Sequence, residues 1–238
     1  MKGHTHVKFT ARPHRSATAA ASHALGDSTE LVERLAEELG VVKSIRQTDH
    51  LVRAAGVGAA VSLVLVLGVL GMRPDIVHAL NTPIFWIKLL YVLTVGAIGL
   101  WLVERLSRPD GATQGRSRWL LIPIAAILCL AVAQLAPASP GERAGLLMGH
   151  SALVCPLAIL VFSLPPLGAL FIALRGLAPT RLGLAGAAGG LAAGGFGAAA
   201  YAFSCSEAAG PFIAVWYSLG MVAAAVVGRL LGPWALRW

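Results

Sequence analysis

Apolar residues occur along the chain in six long runs separated by short polar stretches: Ala54 to Gly71, Ile84 to Val103, Trp119 to Leu135, Ser151 to Leu174, Leu182 to Phe203, and Phe212 to Leu231. A hydrocarbon core about 30 Å thick needs roughly 20 apolar residues per helical span, and the runs match that length. Glycine, alanine, leucine and valine dominate them, without the period-2 alternation of a barrel strand. Helices are then the spanning form that satisfies every backbone polar group in lipid. The pattern predicts an all-α membrane protein: a six-transmembrane-helix bundle, residues 51–238, preceded by a short cytoplasmic N-terminal helix.

That helix is read from a different periodicity. Asp27, Ser28, Thr29 and Glu30 resemble a capping box, and Leu31, Val32, Leu35 and Leu39 then recur at helical spacing, with Glu30, Glu33, Arg34, Glu37 and Glu38 on the other faces. A helix this short is not stable alone, so its apolar stripe needs a partner: the bilayer surface, its own bundle, another copy or a soluble protein. Its polar face is acidic, which an anionic leaflet repels, and this favours a protein. Residues 27–50 are therefore a candidate protein-binding segment. Residues 1–26 are polar, basic and low in complexity, and predict a disordered tail. Its histidines (His4, His6, His14, His23) lack regular metal-ligand spacing.

Composition agrees with the membrane reading. Hydrophobic residues make up 57% of the chain and charged residues only 13%, with a mean hydropathy of +0.74, which excludes an ordinary soluble domain. The net charge of +8 does not point to nucleic acid, because its cations are distributed by topology. Lys43, Arg46 and Arg53 precede the first run, Arg105 to Arg118 follow the second, Arg175 and Arg181 follow the fourth, and Arg229 and Arg237 close the chain. The opposite connections hold only Arg73 and Arg143. The positive-inside rule then predicts cytoplasmic termini in a bacterial inner membrane, and no apolar h-region marks a cleavable signal peptide.

Within the runs, Gly186, Gly190 and Gly194 recur at four-residue intervals. Small residues so spaced let helices approach closely in lipid, inside the bundle or, as the alternative, across a homodimer. Pro165 and Pro166 remove backbone donors and predict a kink in the fourth span. Lys88 is the intramembrane cation, placed about one turn from the periplasmic end, where it can snorkel outward toward Asp75. Trp119, Trp216, Tyr217, Trp234 and Trp238 fall near span ends, as aromatic belts do. No nucleophile–base pair, phosphate loop or carboxylate dyad is present, so the chain reads as a non-enzyme. A small transporter or channel built on Lys88 and the glycine-rich span, or a membrane thiol oxidoreductase, remains as an alternative. The absence of a Cys-x-x-Cys weakens the oxidoreductase reading.

Cysteine is the remaining chemistry. Cys129 lies among leucines in the third run and reads as a small apolar residue. Cys155 and Cys205 lie about 19 and about 23 residues from the short turn joining spans four and five, which places their heights within about 6 Å of each other. Both fall at the periplasmic end of neighbouring helices, where disulfides are permitted. They are either a coupled pair or two buried thiols sharing a level. His150 and Glu207 lie near the same level as accessory ligands, so the four residues can also be read as a site for transient binding of a soft or heavy metal ion. No resident cofactor is implied.

ELVERLAEEL before the first span, GMRPDI followed by TPIFWIKLLY, LPPLGALFIALRGLAPTRLGLAG, YAFSCSEAAGPFIAVWY and the terminal GRLLGPWALRW together resemble the NrsF-type membrane anti-sigma factors, from about Thr29 onward. The resemblance implies a six-span inner-membrane protein that sequesters an extracytoplasmic-function sigma factor of the sigma F type. It further implies that two cysteines, matching Cys155 and Cys205, release that factor under oxidative or heavy-metal stress. The apolar stripe of residues 27–50 would then be the sigma-binding surface, and Pro165 and Pro166 the bend that moves.

Overall fold

The computed structural model describes residues 47–107, 116–177 and 179–237. The chain divides into two units, Met1–Ser44 and Ile45–Trp238, and every described residue belongs to the second. The basic tail and the stripe Leu31, Val32, Leu35 and Leu39 lie outside the described residues.

Helix α1 runs Gln47–Val69, so residues 47–50 belong to the first membrane helix rather than to the segment before it. The short α2, Ile76–Leu80, leads to α3, Pro83–Leu106, which starts with Thr82 extended and Pro83 in the first turn, where its missing N–H costs nothing. A 3-10 turn, Arg116–Leu120, opens into α4, Leu121–Leu135. Helix α5, Pro140–Met148, lies between spans and buries no side chain. It is fixed locally by a capping box, in which the Glu142 carboxylate accepts from the Ser139 N–H at 2.8 Å and from its hydroxyl. Helices α6, Val154–Phe162, and α7, Leu164–Arg175, together form the fourth span. The remaining spans are α8, Leu182–Tyr201, and α9, Gly210–Ala235. Six helical stretches are long and apolar enough to cross a membrane, and no strand occurs among the described residues. Most bounds differ from the apolar runs by a few residues, because helices continue into polar turns that hydropathy does not count.

Helix α8 is the axis. Its span is 67% buried, against 17% for the third span at the periphery, and it packs on α9, α3, α1, α7 and α6. The reason is its side chains, or their absence. A Cβ on Gly190 would meet the Ala224 carbonyl oxygen of α9 at 2.2 Å, and one on Gly195 would meet the Gly96 Cα of α3 at 2.5 Å. The glycine spacing therefore serves contacts within the bundle: Gly186, Gly190 and Gly194 face Gly228, Gly232, Ala224 and Met221 of α9. That face is already occupied by the same chain, which removes the structural basis for a homodimer through these glycines.

The helix is broken at Ser163, between α6 and α7, just before Pro165 and Pro166. Pro166 has no N–H to return to the carbonyl four residues back, which is that of Phe162. That carbonyl instead accepts from the buried Ser62 hydroxyl of α1. Gly58 of α1 lies against Pro166, and Gly197 of α8 against the Phe162–Ser163 peptide, closing the break from both sides.

Two buried clusters result. One gathers Leu51, Leu106, Leu174, Leu170 and Leu236 at the end where α1 begins and α3, α7 and α9 finish. The other, at the opposite end, contains Cys155, Ile159, Cys205, Phe212 and Tyr217. Val57, Val64, Leu90, Leu128, Ile172 and Leu230 are exposed, as lipid-facing side chains are. So are Trp119 and Trp234, in keeping with an aromatic belt.

Candidate functional site

The connections between spans one and two, three and four, and five and six meet at the second cluster, and hydrogen bonds knit them together. After α8 ends at Tyr201 the chain unwinds, with the N–H groups of Ser204 and Cys205 both donating to the Tyr201 carbonyl at 3.0 Å. The Ser204 hydroxyl donates to the Gly71 carbonyl, and the Arg73 N–H to the Phe203 carbonyl at 3.2 Å. The Arg73 guanidinium reaches the Cys205 carbonyl at 3.3 Å while gripping Asp75 with two nitrogens, at 2.8 and 2.6 Å. This fork holds the Asp75 carboxyl down at about 2.

Lys88 corrects an expectation. It does not snorkel toward Asp75, which Arg73 has taken, but turns inward and is 1% exposed. Its ammonium donates to the carbonyls of Glu207 at 2.9 Å and Cys205 at 3.3 Å, and stands 4.6 Å from the centre of the Tyr217 ring. A buried ammonium is costly unless solvated by the protein. Here two carbonyls and an aromatic face do that. Among the described residues no carboxylate forms an ion pair with it.

Tyr217 departs from its belt assignment in the same way. It is fully buried, and its hydroxyl has no hydrogen-bond partner among the described residues. It ends a widened π-type turn, Ile213–Tyr217, inside α9, a feature that often marks functional positions. Trp216, one residue earlier, points the other way and donates from its indole to the Leu147 carbonyl at 2.8 Å.

Glu207 ties the Cys205 segment to the segment preceding Cys155. Its carboxylate accepts from the His150 N–H at 2.6 Å and fills the space beside Gly149, where a Cβ would come within 2.6 Å of it. Gly149 has φ +50, a conformation glycine adopts without strain. From there the chain enters α6, and Cys155 follows in its first turn, completely buried.

Cys155 and Cys205 thus belong to one buried cluster, and both are free thiols. They interact directly. The Cys155 thiol, as donor to its neighbour, and the Lys88 ammonium pull Cys205 below the ordinary thiol range, while burial pushes the other way. A polar cavity of about 230 Å³, lined by Arg73, His78, Thr82, Lys88, Ser206 and Glu207 among others, reaches the segment just after Cys205. The other sequence candidates are more scattered. The His150 ring is fully exposed, 3.7 Å from the Glu207 carboxylate, and contributes its backbone rather than its imidazole. Among the described residues no three His, Cys, Asp or Glu side chains converge as a metal group, so the four-residue ligand set is not assembled. Cys129 is exposed on α4, away from the pair.

Comparison with known proteins adds the family. The family model described as negative regulator of sigma F matches residues 35–238. The chain belongs to this family. A curated member, the anti-sigma-F factor NrsF of Caulobacter vibrioides, is 42% identical over 213 residues, covering 88% of this chain and 98% of its own. The probable anti-sigma-F factor NrsF of Azospira oryzae is 39% identical over 209 residues, with the same coverage of each chain. No solved structure matches. Both relatives are named for an anti-sigma-F role.

Of the site's residues, sequence reasoning singled out the two cysteines and Glu207, but read Lys88 as snorkelling outward, Tyr217 as a belt residue and Arg73 only as a loop cation. The available signal was Lys88 itself, an ionisable residue inside an otherwise apolar run, which is functional by default in lipid.

Proposed function

We propose that the chain is an inner-membrane anti-sigma factor that sequesters an extracytoplasmic-function sigma factor at its cytoplasmic face and releases it when Cys155 and Cys205 are modified from outside. It acts by binding, with no catalytic turnover of its own. The observation that carries the reading is the pair of free, buried thiols held together by segments from different spans. A soluble partner cannot touch such a pair, but a change in its covalent state alters how those segments pack. The distribution of Lys and Arg supports an outer location for this end and an inner one for both termini and for the candidate segment that precedes α1. To move the sigma factor from about 99% bound to 1%, modification must favour the releasing state by about 5.5 kcal/mol. A new covalent bond between two spans supplies about 2–4 kcal/mol of this, and the repacking it forces must supply the remainder.

The test joins binding to release. The detergent-solubilised protein, kept reduced, retains its sigma factor through affinity purification and loses it after oxidation. Cys155→Ser and Cys205→Ser each keep the factor bound under oxidant, while Cys129→Ser behaves as wild type. Loss of co-purification under reducing conditions, or equal behaviour of all three substitutions, overturns the proposal.

A further inference from the structure

The two thiols are not equivalent. Several differences around them favour Cys205. The polar cavity is lined by Ser206, Glu207 and Ala208, which follow Cys205, and by Lys88 beneath it, and by no residue of α6. Cys155 stands within an apolar turn, between Val154 and Pro156 and close to Ile159. Around Cys205 the ionisable groups come from every packed element: Arg73 from the first connection, Lys88 from α3, Cys155 from α6, Tyr201 from α8, Tyr217 from α9, and Glu207 from its own segment. The two cations reach its carbonyl, whereas the one carboxylate is turned away onto the His150 N–H. Lys88 has no ion-paired carboxylate among the described residues, and the buried Tyr217 hydroxyl makes no full hydrogen bond and has the Cys205 thiol as its polar neighbour. An anion at Cys205 would complete both. Positive surroundings of this kind make one thiol the nucleophile.

Resting on the reading of Cys155 and Cys205 as the responsive pair, we propose that Cys205 reacts first, that Cys155 resolves it, and that Lys88 is the positioning residue that sets this order. With hydrogen peroxide as oxidant, the Cys205 thiolate attacks one peroxide oxygen. The O–O bond breaks, the departing hydroxide takes a proton to become water, and Cys205 is left as a sulfenic acid. Sulfur of Cys155 then attacks sulfur of Cys205, the S–O bond breaks, and the hydroxide leaves with the Cys155 proton as a second water. The product is one disulfide, two electrons having passed from the thiols to the peroxide.

The experiment uses the full chain in nanodiscs with Cys129→Ser throughout, and reads the rate of iodoacetamide alkylation against pH, with the modified residue identified by peptide mass spectrometry. With Cys155→Ser added, Cys205 is expected to alkylate with a midpoint at least one unit below about 8.5, the free-cysteine value. Lys88→Met raises that midpoint by a unit or more, making alkylation near neutral pH about tenfold slower, and Lys88→Arg restores most of it. With Cys205→Ser instead, Cys155 alkylates at least tenfold more slowly than Cys205 does. Dimedone after hydrogen peroxide traps a sulfenic acid on Cys205 in the Cys155→Ser protein and none on Cys155 in the Cys205→Ser protein. Faster alkylation of Cys155, an ordinary midpoint for Cys205 with Lys88 intact, or a midpoint that Lys88→Met does not move each overturns the assignment. The first two need no change at position 88, so misfolding of that variant cannot shelter the idea. If the reactivity order holds but oxidation leaves the sigma factor bound, the functional proposal fails instead.

Discussion

Replacing Ser62 with alanine removes one hydroxyl, and the structure says what that hydroxyl is for. Pro166 leaves the Phe162 carbonyl without its helical donor, and Ser62 supplies one from α1. Ser62 is fully buried, so no water replaces it. Leaving a buried carbonyl unpaired costs about 1–3 kcal/mol in soluble proteins, whereas hydrogen bonds between membrane helices average about 0.6 kcal/mol and reach about 1.7. Membrane averages are low because the groups find other partners, which a carbonyl at a proline break cannot do. Ser62→Ala should therefore cost about 1–2 kcal/mol. The decisive measurement is a double-mutant cycle on unfolding in mixed micelles. Pro166→Ala restores an N–H four residues after Phe162, so in that background Ser62→Ala should cost less than half as much. Equal costs in the two backgrounds, or a cost below about 0.3 kcal/mol in the wild type, refute the reasoning.

Two further outcomes follow from close contacts. Gly190→Leu places a branched side chain where even a Cβ meets the Ala224 carbonyl oxygen at 2.2 Å, so α8 and α9 must part; loss of folded protein, read by size exclusion and thermal aggregation, is expected, while Gly56→Leu, which meets nothing within 4 Å, should be silent. Glu207→Gln exchanges a charge-assisted hydrogen bond on the His150 N–H for a neutral one, at roughly half the strength, and should slow oxidative cross-linking of Cys155 to Cys205 several-fold without destabilising the far end of the bundle; an unchanged cross-linking rate contradicts the tie between the two segments.

Much of this arrangement was legible in the chain. Hydropathy located all six spans, because lipid leaves a helix no freedom about where its polar ends lie. Counting from the turn between spans four and five brought Cys155 and Cys205 to one level, because helical rise is uniform. Rotation about the helix axis was harder. Lys88 was placed at the correct depth, yet whether it turned outward or inward depended on carbonyls of residues 205 and 207, donated by an unwound segment that no periodicity describes. Tyr217 was misjudged for a related reason: nearness to a span end does not tell which side of the helix faces the bundle, and Trp216 and Tyr217, adjacent in sequence, take opposite sides. His150 had the right neighbour in Glu207 but through the wrong atom, since side-chain chemistry is visible in a sequence and backbone donors are not.

The contact between α8 and α9 has a mechanical character of its own. Where large side chains interlock, one helix must climb over its neighbour's teeth before it can travel. Gly186 and Gly190 against Gly228 and Gly232 offer no teeth. Such a seam resists being pulled apart, because two backbones at close range lose all their dispersion contacts at once, yet it presents few steps to gliding along its length. A chemical event at the outer rim would then be transmitted as shear between these two rods rather than as their separation.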